Sequence, residues 1–127
     1  DPVIVVGYAS GNKSKNQFKE INPDELLKLI QQPGGYQLID VRNTHELEKM
    51  GMIPTAAHIE LETLRNNLSS LRKDKTTIVY CAKGLRGYVA TMILKNHGFS
   101  NVYNLGGGFL SWSKQGMEVT MLSEEKK

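Results

Sequence analysis

The residues best suited to chemistry are Cys81, Lys83 and Arg86, set close together in Cys81-Ala82-Lys83-Gly84-Leu85-Arg86-Gly87. A thiolate is a strong nucleophile, and cations beside it favour its charged form and attract anions. Gly84 allows the positive-φ backbone that a tightly curled loop needs. Backbone N–H groups from Ala82 to Gly87, curling toward the sulfur, would stabilise negative charge on it without a neighbouring base. Cys81 is therefore the candidate nucleophile, with a thiol pKa expected below the ordinary value, and Ala82, Lys83, Gly84, Leu85, Arg86 and Gly87 are the candidate substrate cradle. Arg86 suits two-pronged contact with an oxyanion; the other reading is that it caps the loop or pairs with a carboxylate. Lys83 is expected to face solvent and to steer anions at the pocket mouth.

Such a loop needs a strand before it and a helix after it. The apolar run Thr77-Ile78-Val79-Tyr80 reads as a buried strand, and Gly87 to Leu94 reads as a helix. The cysteine thus sits where the unpaired N–H groups of a helix start face the loop. Upstream, Phe18 to Ile21 reads as a short strand. Asn22, Pro23 and Glu25 give the start of a helix that carries Leu26, Leu27 and Ile30, and Pro33-Gly34-Gly35 ends it. Tyr36 to Arg42 reads as a strand. Thr44 caps a short helix through Lys49, and a short strand lies near His58-Ile59. Leu61, Leu64, Leu68 and Leu71 predict a helix over about 62–71. Asn101 to Leu105 is a strand, Gly106-Gly107-Gly108 a tight turn, and Phe109 to Lys114 a last helix stopped by Gly116.

Strands alternating with helices predict an α/β fold with a mostly parallel sheet covered on both faces. Functional crevices in such sheets lie beyond the carboxyl ends of the strands. Cys81, Asp40-Val41-Arg42 and Leu105-Gly106-Gly107 all fall at such ends. Asp40 and Arg42 are read as structural support, a charge pair that braces a neighbouring loop. The Leu stripe and Trp112 are read as core. His45, His58 and His97 show no metal-ligand spacing with Cys81.

The bulk properties fit one soluble domain: 127 residues, a net charge of +3 and ordinary apolar and charged fractions. No basic block suggests a nucleic-acid surface, and no apolar run approaches a membrane span. A single cysteine cannot form an internal disulfide. With no signal peptide, this predicts a reducing compartment and a cytoplasmic location. Residues 1–17 are expected to be a tail, a linker or an edge strand, residues 18–122 the domain, and residues 123–127 a mobile tail. The start at Asp1 rather than Met predicts a processed chain or a piece of a longer one.

Four stretches together resemble the rhodanese-like sulfurtransferases. The Cys81–Arg86 loop is similar to their Cys-x-x-Gly-x-Arg/Thr/Ser loop. Leu38-Ile39-Asp40-Val41-Arg42, followed by Glu46, resembles the first signature. Gly51-Met52-Ile53-Pro54-Thr55-Ala56 is similar to Gly-His-Ile-Pro-Gly-Ala, with Met52 and Thr55 in place of His and Gly. Asn104-Leu105-Gly106-Gly107-Gly108, with Trp112 beyond it, resembles the closing signature. The resemblance spans roughly residues 18–117 and implies about five mostly parallel strands with helices on both faces.

It also implies a sulfurtransferase that moves a sulfane sulfur through a Cys81 persulfide, with no metal or organic cofactor. The donor would be thiosulfate, a polysulfide or a low-molecular-weight persulfide, and the acceptor a thiol or cyanide. The alternatives are a small cysteine phosphatase or arsenate reductase, and a non-catalytic regulatory module. Phosphatase loops are longer by one residue than the four-residue span Ala82 to Leu85. Asp1-Pro2-Val3, Gly7-Tyr8-Ala9-Ser10-Gly11-Asn12 and Gly84-Leu85-Arg86-Gly87-Tyr88 further resemble the C-terminal rhodanese module of coenzyme A-disulfide reductases. That likeness implies a fused flavin-dependent reductase as partner.

Overall fold

The computed structural model describes residues 19–32 and 34–121. The expectations for residues 1–17 and 123–127, for Phe18 as a strand start and for Pro33 as a helix stop lie outside the described residues. The elements are β1 Lys19–Ile21, α1 Pro23–Ile30, β2 Tyr36–Asp40, α2 Thr44–Met50, β3 Ala57–His58, a 3-10 helix Leu61–Ser70, β4 Thr76–Tyr80, α3 Leu85–Asn96, β5 Val102–Leu105 and α4 Gly108–Lys114. The five strands form one sheet in the order β1-β5-β4-β2-β3. Every strand pair is parallel.

β4 lies at the centre of the sheet, between β2 and β5. Its successive residues Ile78, Val79 and Tyr80 are all fully buried, as a strand covered on both faces requires. The period-two alternation then sorts the core. Ile39, Val79 and Cys81 face one layer with Leu64, Ala90, Ile93 and Leu94 of the 3-10 helix and α3. Leu38, Ile78 and Tyr80 face the other layer with Leu26, Phe109 and Trp112 of α1 and α4. Each fully buried Leu or Ile stabilises this arrangement by about 1.5–3 kcal/mol, set against its ordering entropy.

Local chemistry explains the helix starts. Asn22 accepts a hydrogen bond from Glu25 N while the Glu25 carboxylate accepts from Asn22 N, a capping box with Pro23 at the first helical position. Ile21 and Leu26, either side of this cap, share one core cluster. For α2 the structure corrects the expected cap. Asn43, not Thr44, is the N-cap, and it forms a second capping box with Glu46. Asn43 accepts from the N–H three residues on, whereas Thr44 is already helical and its hydroxyl donates to Glu60.

The segment read as a helix over about 62–71 is a 3-10 helix. Thr63 Oγ1, Asn67 Nδ2 and Ser70 Oγ donate to carbonyls three or four residues back, and Glu60 provides no side-chain cap. These side-chain bonds compete with regular α-helical ones. Leu64 is nonetheless fully buried, so the leucine spacing marked the buried side correctly.

Candidate active site

Because the sheet is parallel, the carboxyl ends of its strands lie along one edge. Asp40 pairs in register with Tyr80, Ile21 with Leu105, and Val79 with Asn104. The chain leaving β4 at Cys81 therefore emerges between the ends of β2 and β5. Cys81 is 1% exposed, at the base of the loop.

The loop curls around the sulfur. Gly84 N donates to Cys81 Sγ at 3.0 Å, and Gly87 N donates at 3.3 Å. Gly84 adopts φ 121°, a conformation costly for a residue with a side chain. Two N–H dipoles thus converge on Sγ and stabilise negative charge there. Lys83 and Leu85 are exposed, Leu85 by 77%, and Ala82 is half-buried.

The loop's outward carbonyls are held by α4. Phe109 N donates to Cys81 O at 2.7 Å, and Leu110 N donates to Ala82 O at 3.0 Å. A Cβ on Gly108 would lie 2.5 Å from both of these oxygens. The glycine run is therefore more than a turn, because Gly108 lets the start of α4 press against the cysteine loop.

Arg86 is engaged by a carboxylate. Its Nη1 and Nη2 donate to Glu46 Oε1 and Oε2 at 2.9 and 2.8 Å. The pair is partly exposed, 37% for Arg86 and 27% for Glu46. Arg86 holds the Glu46 carboxyl below its ordinary range, and Glu46 in turn raises the guanidinium. Of the two readings open for Arg86, the carboxylate pair is the contact in this structure. Glu46 also closes the α2 capping box, so one carboxylate ties α2 to the cysteine loop. Its place three residues after Asn43 was the sequence signal for the cap, but nothing in the spacing marked Arg86 as its partner.

Asp40 and Arg42 form a buried pair, with Arg42 Nη2 2.7 Å from Asp40 Oδ2. Arg42 Nε donates to both Asp40 oxygens, and Nη2 also reaches Gly51 O at 2.7 Å. The guanidinium carbon lies 4.2 Å from the centre of the Phe109 ring. Burial works against the Arg42 charge, but the Asp40 carboxylate outweighs it and the guanidinium stays above its ordinary value. Tyr80 Oη accepts from Ile53 N at 3.0 Å, and burial raises the phenol strongly. These contacts join the ends of β2 and β4 to the 51–53 turn and to α4.

The stretch 51–56 contains both departures from the pattern it resembles, Met52 and Thr55. Thr55 has φ 74°, and it is the one non-glycine with positive φ among the described residues. The position thus demands the conformation that glycine adopts most easily. Its hydroxyl compensates with a 2.9 Å hydrogen bond to Tyr36 Oη. Met52 is buried and bridges Thr120 through two 2.8 Å backbone hydrogen bonds.

Tyr88 Oη donates to Glu20 across from α3 to β1, and burial raises the Glu20 carboxyl. A groove of about 480 Å³ runs beside the loop, lined by Lys83, Gly107, Leu110, Ser111, Lys114 and Gln115. His58 bonds the Arg42 carbonyl and His97 the Ile93 carbonyl, so neither is committed to Cys81. Among the described residues, no cluster of His, Cys, Asp and Glu has the geometry of a metal site.

The profile of the rhodanese-like domain matches residues 22–115. The chain belongs to the rhodanese-like family. Among its relatives is a sulfurtransferase of Allochromatium vinosum, 30% identical over 100 residues, covering 79% of this chain and 92% of that protein. Another is the thiosulfate sulfurtransferase GlpE of Pseudomonas savastanoi, 31% identical, covering 76% of this chain and 88% of that protein. The solved structure of reduced CoADR-RHD from Bacillus anthracis matches with a TM-score of 0.68 and 34% identity. It covers 76% of this chain, which in turn spans 16% of that one. The matching part is the rhodanese domain of a coenzyme A-disulfide reductase. Rhodanese-like domains therefore occur fused to reductases as well as alone. No helix among the described residues is long and apolar enough to cross a membrane.

Proposed function

We propose that this rhodanese-like chain transfers a sulfane sulfur through a persulfide on Cys81. The observation that carries the reading is the pair of N–H groups, from Gly84 and Gly87, directed at Cys81 Sγ. With thiosulfate as donor, the Cys81 thiolate attacks the outer sulfur. The S–S bond breaks, and sulfite leaves with the bonding electrons. The resulting Cys81 persulfide carries its negative charge on the terminal sulfur, at the mouth of the same cradle. An acceptor thiolate then attacks that terminal sulfur, leaves as its own persulfide and regenerates the Cys81 thiolate. Each step transfers one sulfur atom with no net redox change, so no cofactor is needed. Cyanide can serve as the acceptor by the same attack.

Lys83 supplies positive charge at the mouth, and with Lys114 it lines a groove that suits an anionic donor or acceptor. Arg86 holds the loop through Glu46, and its positive charge also reaches Cys81. Likeness to the reductase-fused domain supports a flavin-dependent reductase as partner, with a low-molecular-weight persulfide or polysulfide as donor. A cytoplasmic site of action fits a free thiolate nucleophile.

Intact mass after incubation with thiosulfate, polysulfide or a thiol persulfide tests the reading. One added sulfur on Cys81, removed by a thiol, is expected. A Cys81→Ala variant that still transfers sulfur at the wild-type rate would exclude the persulfide route. No added sulfur from any donor would favour a regulatory module instead.

A further inference from the structure

Asn104, at the end of β5, is fully buried behind the cysteine loop. Its Nδ2 donates to Gly84 O at 3.1 Å. Its Oδ1 is buried and has no hydrogen-bond partner. Reversing the amide would set two oxygens against each other at Gly84, so this orientation follows from the chemistry. A buried acceptor without a donor is costly and calls for an explanation.

The explanation lies in what Oδ1 faces. A Cβ built on Gly87 would overlap Asn104 Oδ1, well inside their van der Waals contact distance, and would lie 2.9 Å from Cγ and 3.4 Å from Nδ2. The Asn104 amide therefore packs directly on the bare Cα of Gly87. Gly84 and Gly87 are the two residues whose N–H groups point at Cys81 Sγ. One side chain touches both: it bonds the carbonyl of the first and fills the place where the second would carry a side chain.

We propose that Asn104 is a positioning residue that clamps both glycines and so aims their N–H groups at the sulfur. Its use in sulfur transfer rests on the function proposed above; the clamp itself does not. Gly84 O also accepts from Tyr88 N at 3.1 Å, so the Asn104 bond fixes the Gly84–Leu85 peptide from a second side, directly after the φ 121° turn at Gly84. Leucine would fill the space over Gly87 but give no bond to Gly84. Aspartate would set a carboxylate against the Gly84 carbonyl.

The test uses Asn104→Ala, Gly87→Ala and the double variant. Single-turnover persulfide formation from thiosulfate reads the cradle in use. Alkylation of Cys81 by iodoacetamide at fixed neutral pH reads it without any sulfur transfer. Asn104→Ala is expected to slow persulfide formation by about tenfold to a hundredfold, less than removing an oxyanion donor outright commonly costs. The KM for thiosulfate should stay within a factor of about two, because neither Lys83 nor the groove is altered. Alkylation should slow as well.

Gly87→Ala should slow both reactions in the otherwise unaltered protein, yet add no more than about a factor of two in the Asn104→Ala background, where the obstructing amide is gone. The proposal is overturned if Asn104→Ala stays within about twofold of wild type in alkylation. Equal cost of Gly87→Ala in both backgrounds also overturns it. If the wild-type protein forms no persulfide, the sulfur-transfer reading fails while the alkylation arm still decides the clamp. Should Asn104→Ala not fold, Asn104→Ser leaves a smaller void and carries the same expectations.

Discussion

Replacing Arg42 with methionine is expected to destabilise the fold by about 3–5 kcal/mol, because it strands a buried carboxylate. The side chains of Arg42 and Asp40 are 1% and 0% exposed. Asp40 accepts from Arg42 Nε, Nη2 and backbone N. Methionine preserves the unbranched bulk of arginine but leaves only the backbone N–H of these donors. It also removes the bond to Gly51 O and the cation above Phe109, a contact worth about 0.5–2 kcal/mol where desolvated.

Domains of ordinary stability hold about 5–15 kcal/mol, so the variant should fold marginally rather than not at all. Urea unfolding is the assay. With m near 1–3 kcal/mol per molar, a loss of about 4 kcal/mol lowers the midpoint by roughly 1.3–4 M. The Asp40→Asn/Arg42→Met double variant should recover at least half of the loss, since no charge is then buried alone. A single-variant loss under about 1 kcal/mol at unchanged m would show that water reaches the pair. A double variant no more stable than the single would refute the stranded charge as the cause.

The Arg86–Glu46 pair is expected to make stability pH-dependent. Glu46 is lowered from its ordinary 4.5 in the folded state. Its contribution is therefore present above that value and lost as pH falls through the lowered one. Because the pair is partly exposed, Glu46→Gln should cost only about 0.5–1 kcal/mol at neutral pH. The Tm difference from wild type should close in acid. Thr55→Gly should hold or raise stability, since relief of about 1–2 kcal/mol of left-handed strain offsets the lost bond to Tyr36 Oη. Thr55→Val should lower stability by about 1 kcal/mol, and urea midpoints decide both. Gly108→Ala should cost more than about 2 kcal/mol and slow sulfur transfer, as its Cβ would meet the Cys81 and Ala82 carbonyls. Gly116→Ala, in open space at φ 77°, should cost about 1 kcal/mol and leave transfer unchanged.

Much of the fold was legible in the chain because local and global preferences agree. The apolar run before Cys81 and the capping residues Asn22, Pro23 and Glu25 act through their immediate neighbours, and the structure repeats them. The α2 cap was read one residue late, because Asn43 and Thr44 are both good caps and only the Asn43–Glu46 reciprocity separates them. The 3-10 helix was read as an ordinary one because leucine spacing reports which side is buried. That spacing is silent on the size of the hydrogen-bond ring, and Thr63, Asn67 and Ser70 side chains bond to the backbone carbonyls along this segment.

The candidate site divides along the same line. Cys81, Gly84 and Gly87 are close in sequence, so their curl around a sulfur follows from residue type and spacing. The contacts that hold the curl come from residues distant along the chain. Glu46 meets Arg86 across forty positions, and Asn104 meets Gly84 across twenty. No periodicity encodes such meetings. They exist because parallel strands bring the ends of β2, β4 and β5 to one edge, leaving each loop to be braced by its neighbours. The sequence by itself determined the candidate nucleophile, the glycines around it and the alternation that builds a parallel sheet, since each acts over a few residues. The tertiary structure alone decided which carboxylate takes Arg86, which amide backs the cradle and which hydroxyl Thr55 meets at its left-handed position. Those depend on which strand ends lie side by side.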